Sequence, residues 1–407
     1  MCGDDFKGSA LKILFVAPYL PSPPLSGGQR RLEGLIRGLS ARHEVSLLCF
    51  AESDPGETRE YCHQLVTVDF DSRGVAVSRR RLLQLRSLVS IRSFEHRLFR
   101  QPDVQVRLDQ LLSSNSYDVI QVEFCQMAGH EFPSGNSQRP LLVLDEHNIE
   151  YDVIRRTSEG TTAFGRRIYH EINWRKLKRE ELSVWKRFDG VVVTSDRDER
   201  LLKRDDASVR TAVVPNGVDL TSFTPSGAPA DPCTLLFVGV MNYFPNTDGV
   251  TYFVREVLPA IRAVHPDVRL KIVGMNPPES VKSLADSHIE VTDVVDDPRP
   301  YLDSSTVVIV PLRVGGGTRF KILEAMAKGK PIVSTRIGAE GIEAEHDREL
   351  LLADDAESFA REVGRLLTDP KLAKRLGRAG RQLAEQRYSW ESAVTRLEAF
   401  YGELGEL

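Results

Sequence analysis

The stretch Val310-Pro-Leu-Arg-Val-Gly-Gly-Gly-Thr-Arg-Phe-Lys-Ile-Leu-Glu-Ala-Met-Ala-Lys-Gly-Lys-Pro331 decides how the chain is read. It opens on a buried strand predicted from Thr306 to Val310. Three glycines, Gly315, Gly316 and Gly317, follow, and a helix is predicted from about Thr318 to Gly329. A strand, a glycine loop and an open helix end make an anion site, because free backbone N–H groups and the positive end of the helix dipole point at one place. Arg319 and Lys321 add two cationic side chains in the first turn. Glu324 lies in an otherwise apolar run, Leu323 to Ala327. A carboxylate there is costly unless something hydrogen-bonds it, and sugar hydroxyls would do so. The rise from Phe320 to Glu324 is about 6 Å, which suits a pyrophosphate at the helix tip and a ribose beside the second turn. The competing reading is a glycine-rich turn ahead of a core helix, with Glu324 paired to a lysine.

The chain has 407 residues, of which 41% are hydrophobic and 28% charged. That length suits two domains and that composition suits ordinary folded protein. A net charge of −4 gives no reason to invoke nucleic acid. The five cysteines, Cys2, Cys49, Cys62, Cys125 and Cys233, are scattered and include no Cys-x-x-Cys pair. They argue against a zinc site or disulfide framework and for reduced thiols in a cytoplasm. No apolar run reaches the roughly 18–20 residues needed to span a bilayer. Leu11 to Leu20 is short, follows Asp4 and Asp5, and reads as a first strand rather than a signal peptide.

In the first half, Lys12 to Ala17 is a buried strand, stopped by Pro18 and followed by Pro21, Pro23 and Pro24. Ser26-Gly27-Gly28 leads into an amphipathic helix with Leu32, Leu35, Ile36 and Leu39 on one face. Further strands are predicted at Glu44–Phe50, Leu65–Phe70, Tyr117–Phe124, Leu141–Leu144 and Asp189–Thr194. From Arg73 to Arg107 the chain is strongly basic, with Leu82, Leu83, Leu85 and Leu88 among the early arginines. The plain reading is a solvated face; the sharper one is a surface lying on anionic lipid at the inner face of a membrane. After the fifth strand comes Asp145-Glu-His-Asn-Ile-Glu-Tyr151. Polar and aromatic side chains crowd the carboxyl end of a parallel strand there, where open α/β sheets place ligands. His147 is the candidate functional residue, with Asn148 and Glu150 as companions. Ile168 to Phe188 is a long charged helix anchored by Ile168, Ile172, Trp185 and Phe188. Asp196-Arg-Asp198 reads as a helix N-terminus after Ser195.

In the second half, a strand at Thr234–Val238 leads into the loop Gly239 to Gly249, where Asn242 and Asn246 offer neutral hydrogen bonds. Lys271–Val273 and Ile289–Val295 give two more strand-and-loop pairs, with Gly274 opening the first loop and Val294 in the second. Ile332–Ser334 follows the central stretch. Tyr388-Ser-Trp-Glu391 opens a last helix that Ser389 caps.

The segment from Glu324 to Pro331, Glu-Ala-Met-Ala-Lys-Gly-Lys-Pro, resembles the donor signature of GT-B glycosyltransferases, above all the retaining family 4, also called group 1. The phrase Pro215-Asn-Gly-Val-Asp219 and the Gly-Gly-Gly-Thr-Arg-Phe-Lys run are similar to that family too, and the glycan phrases look most like bacterial exopolysaccharide transferases. The resemblance covers nearly the whole chain and implies two doubly wound Rossmann-like domains facing a central cleft. Residues 1–212 would form the acceptor-side domain and 213–232 the linker. Residues 233–387 would form the nucleotide-sugar domain, and 388–407 a helix crossing back. It implies sugar transfer from a nucleotide-sugar to a glycan or lipid-linked acceptor, with retention and without metal or other cofactor.

By the same resemblance Glu324 takes the nucleotide ribose, and the base sits against backbone near Val294. Gly27 and Gly28 face donor phosphate and acceptor, and His147 lies near the donor sugar and the acceptor. Two departures stand out. No arginine or lysine lies between Gly239 and Gly249 where the family grips pyrophosphate, so Arg319 and Lys321 are expected to take that load. The family's earlier glutamate, eight positions before Glu324, is Gly316 here; backbone N–H groups of Gly316 and Gly317 and the Thr318 hydroxyl are expected to replace it. Val68-Asp-Phe-Asp71 matches the Asp-x-Asp metal motif of the other large transferase fold, but every stronger signal points to GT-B. Alternatives on the same scaffold are a nucleotide-sugar 2-epimerase and a non-catalytic sugar-nucleotide-binding protein.

Overall fold

The computed structural model describes residues 10–51, 54–69, 87, 90, 92–134, 139–159, 164–227 and 230–405. The chain divides into two compact α/β units. One holds the described residues up to Pro215 together with those from Ala393 onward; the other is Asn216–Ser392. The division falls inside the segment 213–232.

The first unit is built on a seven-stranded sheet. Its strands are β1 (Lys12–Ala17), β2 (Glu44–Ala51), β3 (Gln64–Asp69), β4 (Val119–Glu123), β5 (Leu141–Glu146), β6 (Gly190–Val193) and β7 (Thr211–Val213). The order is β3-β2-β1-β4-β5-β6-β7, every pair parallel. Ile13 to Ala17 are buried without alternation, as a parallel strand covered on both faces must be. The order reverses between β1 and β4, so their carboxyl ends open a crevice. Leu32, Leu35, Ile36 and Leu39 of the helix Gly27–Ser40 are buried, and Ser26 caps it by accepting from the Gln29 N–H at 3.3 Å. β5 runs past Leu144 to Glu146, which carries two acidic residues into the sheet. The long helix is Phe164–Trp185. Trp185 and Phe188 are buried as anchors, but Ile168 and Ile172 are 45% and 38% exposed. That early part packs against the helix Glu150–Glu159 instead of lying wholly on the sheet.

The second unit has a six-stranded, all-parallel sheet. Its strands are β8 (Thr234–Val238), β9 (Arg269–Val273), β10 (Ile289–Val291), β11 (Val307–Val310), β12 (Ile332–Ser334) and β13 (Leu351–Leu352). The order β10-β9-β8-β11-β12-β13 reverses between β8 and β11. The Gly239 loop and the triple-glycine loop therefore leave the sheet side by side at its switch point. The helix after the glycines is Phe320–Ala327, two residues shorter at its start than the sequence predicts, with Arg319 as N-cap. Gly317 is in the left-handed region at φ +75° and Arg319 is still non-helical at φ −90°, ψ 105°, so the loop persists to Arg319. Gly329, at φ +65°, closes the helix, and the Lys330 N–H donates to Ala325 O at 2.9 Å, a left-handed C-terminal stop. The last helix, Trp390–Gly405, is capped by Ser389, which accepts from the Ser392 N–H at 3.0 Å.

The residues 70–86, 88, 89 and 91 lie outside the described residues. They include Asp71 of the Asp-x-Asp motif, Leu82, Leu83, Leu85 and Leu88, and the early arginines of the basic stretch. Among the described residues no helix is long and apolar enough to cross a membrane, and Cys49, Cys62, Cys125 and Cys233 are free thiols.

Ile309 sits in the middle of β11 with 0% exposure and directs the strand into the glycine loop. Ile309→Ala should destabilise the second unit by about 3 kcal/mol through lost burial and a cavity. Urea denaturation followed by hydrogen exchange in each unit checks this: protection should fall in β8, β11 and β12 and stay unchanged in β1 and β4.

Candidate functional site

At the switch point of the second unit, the ends of β8 and β11 bring Gly239, Asn246 and Lys321 together. Lys321 Nζ donates to Asn246 Oδ1 at 2.8 Å and lies 4.1 Å from the centroid of the Phe237 ring. Asn246 Nδ2 donates to Val240 O at 2.9 Å, which fixes the amide. Burial removes water from the ammonium and Arg319 repels it, so its pKa is pulled down to about 7, with Glu324 opposing. Arg319 turns back onto its own loop, Nη1 donating to the carbonyls of Gly316 and Gly317. The sequence assigns that charge to an incoming phosphate; here it gathers carbonyls that a tight glycine loop crowds together.

Thr318 is 8% exposed and its hydroxyl has no hydrogen-bond partner among the described residues. No side chain caps the helix that follows. Glu324 is buried one turn on, between buried Leu323 and Ala325. Gly274 has to be glycine: a Cβ there would come within 1.7 Å of Gly239 O, so the loops after β8 and β9 touch backbone to backbone. The loops after β9 and β10 are tied in turn. Gly274 N donates to Thr292 Oγ1 at 3.3 Å, and Asp293 Oδ1 accepts from the N–H groups of Asn276 at 3.1 Å and Val294 at 2.9 Å. The side chains of Asn242 and Val294 are exposed.

Sequence reasoning missed the braces of this loop. Arg313 pairs with Asp248 at 2.7 Å and lies over the Tyr252 ring at 4.6 Å. Thr335 donates to Leu312 O and accepts from the Gly338 N–H at 2.8 Å. Partners far apart in the chain leave no local pattern to find.

In the first unit, the carboxyl ends of β4 and β5 carry a buried polar cluster. His147 Nε2 meets Glu123 Oε2 at 2.6 Å, and its ring stacks on Phe124 at 3.8 Å. Gln121 Nε2 donates to Glu123 Oε1 at 2.7 Å, and Tyr401 Oη donates to Gln121 Oε1. Arg31 grips Asp145 with both forks, at 2.9 and 3.0 Å, and donates to Val214 O at 2.9 Å. Arg31 was missed, although it stands four residues before Leu35 on the apolar face of its helix. Burial pushes Glu123 up to about 7, against the pull of Gln121 and Arg31, and pulls His147 down to about 3. Between about pH 3 and about 7 both shifts leave the pair neutral, with the proton on Glu123.

Gly28 lies under Tyr19: a Cβ would fall 1.9 Å from Tyr19 Oη. Gly27 starts the helix beside it. Asn148 donates to Glu150 Oε1 at 3.4 Å, and Glu150 opens the helix Glu150–Glu159. Deeper in, Glu181 accepts from the N–H groups of Glu150 and Tyr151 at 2.8 and 2.9 Å. Burial pushes Glu146 up to about 8, while the Trp185 N–H at 2.9 Å opposes it. The ligand atoms of Glu123, Asp145 and His147 lie within 4.8 Å of one another, as do those of Cys125, Glu146 and Glu181. In the first set the donors are already matched, Asp145 by Arg31 and His147 by Glu123, so its chemistry is that of a hydrogen-bond network.

The chain matches known families and proteins. Residues 25–222 match the family described as Glycosyltransferase Family 4, and residues 232–369 the family described as Glycosyl transferases group 1. An uncharacterized 44.6 kDa protein in the cps region of Klebsiella pneumoniae is 28% identical over 141 residues, 32% of this chain and 36% of that protein. The D-inositol 3-phosphate glycosyltransferase of Thermobifida fusca is 29% identical over 238 residues, 51% of this chain and 53% of that protein. The chain thus spans about half or less of the length of these curated relatives. Among solved structures, Anabaena Alr3699/HepE in complex with UDP-glucose aligns with a TM-score of 0.65 and 15% identity, over 98% of this chain and 100% of that one.

Between pH 4.5 and 6.5, the ordinary values of the two groups, the folded Glu123–His147 pair holds one proton and so does the unfolded pair. Their opposed shifts cancel in the pH dependence of stability over that range. Glu123→Gln removes the carboxyl that balances the depressed histidine. The unfolded state then binds the extra proton, and stability should fall as pH drops from 6.5 toward 3, by up to about 1.4 kcal/mol per unit. Urea midpoints across that range check this; the same pH slope in variant and parent would contradict the neutral pair.

Proposed function

Because the chain belongs to the family 4, or group 1, glycosyltransferases, we propose that it transfers a sugar from a nucleoside-diphosphate sugar to a hydroxyl of a glycan or lipid-linked acceptor. The observation that carries this reading is Lys321, half-buried beside Asn246 and Gly239 at the amino end of an uncapped helix. Transfer leaves negative charge on the departing diphosphate. Lys321, the Thr318 hydroxyl and the N–H groups of the glycine loop stabilise that charge in a site where water is scarce. Glu324 accepts from the ribose hydroxyls, and backbone near Gly274 and Val294 borders the base.

The reading extends to retention at the anomeric carbon without a metal, the leaving phosphate itself taking the acceptor's proton. His147 is then a positioning residue, held in one tautomer by Glu123. The UDP-glucose bound by the Anabaena protein supports a nucleotide-sugar donor, and we extend the reading to polysaccharide synthesis, in whose favour stands the relative from a cps region.

The deciding experiment incubates the full chain with labelled UDP-sugars and tests for transfer or slow hydrolysis; binding without turnover would overturn the enzyme reading. Lys321→Ala should lower kcat by about 100-fold. Glu324→Gln should weaken UDP affinity by about tenfold, the loss of one hydrogen bond to a charged acceptor; an unchanged Kd would remove the ribose assignment. Since Lys321 is held at about 7 and a diphosphate favours its charged form, UDP binding should take up a proton above that pH and weaken as pH rises. Calorimetry in buffers of different ionisation heat reads the uptake directly.

A further inference from the structure

The first unit contains a cavity of about 650 Å³, within the size of small-molecule sites, that no step of sugar transfer uses. It is walled by the helix Phe94–Phe99, the loop after β4, and the last turns of the helix Phe164–Trp185. Leu142, at the amino end of β5, also lines it. His147 follows the opposite end of that strand and does not line the cavity, whereas Cys125 of the Cys125–Glu146–Glu181 group does.

Three arginines line the cavity, Arg92, Arg100 and Arg187, with His96 and His130. Two carboxylates, Glu131 and Glu180, stand among the same lining residues. Glu180 is engaged by the N–H of Ser93, at 2.9 Å, and by its hydroxyl. Glu131 is 3.9 Å from Arg100 and 83% exposed. Arg187 is fixed by donating to Ala128 O at 2.7 Å and His130 O at 3.4 Å. The cations feel one another: burial lowers the Arg187 pKa and Arg92 and Arg100 lower it further. Burial pulls His96 down to about 4, with Arg92, Arg100 and Arg187 adding to it. Like charges gathered at a cavity wall are a liability that a bound anion relieves.

Two further polar atoms lack a partner among the described residues, His96 Nε2 and His130 Nε2. His130 is 3% exposed. Its Nδ1 lies 2.9 Å from Met127 O, and the Gln101 carbonyl, like that of Met127, favours the protonated ring. An oxyanion with three oxygens to share among guanidinium groups is a phosphoryl group. Phe132, Leu177 and Val184 add an apolar wall.

We propose that this cavity binds a phosphate monoester, its phosphoryl oxygens on Arg92, Arg100 and Arg187, and its organic body against Phe132, Leu177 and Val184. The phosphoryl group belongs either to a free metabolite or to a lipid head group.

The test uses the full chain and phenyl phosphate, with phenol and inorganic phosphate as controls, read by calorimetry and by imidazole NMR. Phenyl phosphate should bind once per chain and more tightly than inorganic phosphate, phenol should not bind, and the His96 titration should move upward. The Arg92→Gln, Arg100→Gln double variant, at two exposed positions, should lose at least tenfold in affinity with an unchanged thermal unfolding curve. Absent binding, or binding unaffected in the double variant, would overturn the site. Vesicles of phosphatidylcholine with and without phosphatidic acid distinguish the sources. Competition between phenyl phosphate and phosphatidic acid vesicles identifies a head group, and soluble binding alone identifies a metabolite; both keep the site. Vesicle binding with no binding of phenyl phosphate would assign the arginines to a membrane surface and discard the cavity.

Discussion

A guanidinium with 1% of its side chain exposed and a carboxylate with none hold the first unit in register. Arg31 comes from the helix after β1, Asp145 from the end of β5, and Val214, its third partner, from the residue after β7. Neither charge could stay in that interior alone. Removing one partner of such a pair costs about 3–5 kcal/mol, because the other is left charged and unmatched. The pair is weak evidence for stability in itself, but it dictates which loops meet at the carboxyl edge of the sheet. The Glu123–His147 pair is set against this fixed charge, and Arg31 contributes to the shifts of both.

The two units solve the same problem with different chemistry. The second leaves a lysine poorly solvated at a helix end, where its charge is held in reserve. The first buries carboxylates and neutralises them, through Arg31 at Asp145 and through protonation at Glu123. One surface is thus prepared for an anion, and the other offers hydrogen bonds with little net charge.

Much of this was legible in the sequence. Val307 to Val310 announced a buried strand by β-branching and apolarity, and Gly315 to Gly317 announced the loop. Glu324 stood out because a carboxylate interrupts an apolar helix. The heptad phase of Leu32, Leu35, Ile36 and Leu39 fixed the burial of their helix. What stayed hidden depended on partners distant in the chain or on side-chain direction. Nothing local tells that Arg319 bends back to Gly316 and Gly317, or that Lys321 reaches Asn246 75 residues away. Arg31 was hidden by its type, since arginine on an apolar face is usually read as a surface residue that snorkels. The cavity beside His130 was hidden because two of its three arginines, Arg92 and Arg100, belong to a basic stretch that composition alone reads as solvated, and the third, Arg187, comes from a distant helix end.

The bond from Tyr401 to Gln121 joins residues 280 apart, and the whole second unit lies between them in the chain. His43 and Glu398, 2.9 Å apart, repeat the pattern. During synthesis, which proceeds from the amino end, the first sheet emerges from the ribosome long before the helix that completes it. Its early strands must therefore wait, with Gln121 Oε1 and His43 Nε2 unmatched, until Asn216–Ser392 has been made. The first unit is assembled as a clasp, whose tongue is translated after Asn216–Ser392.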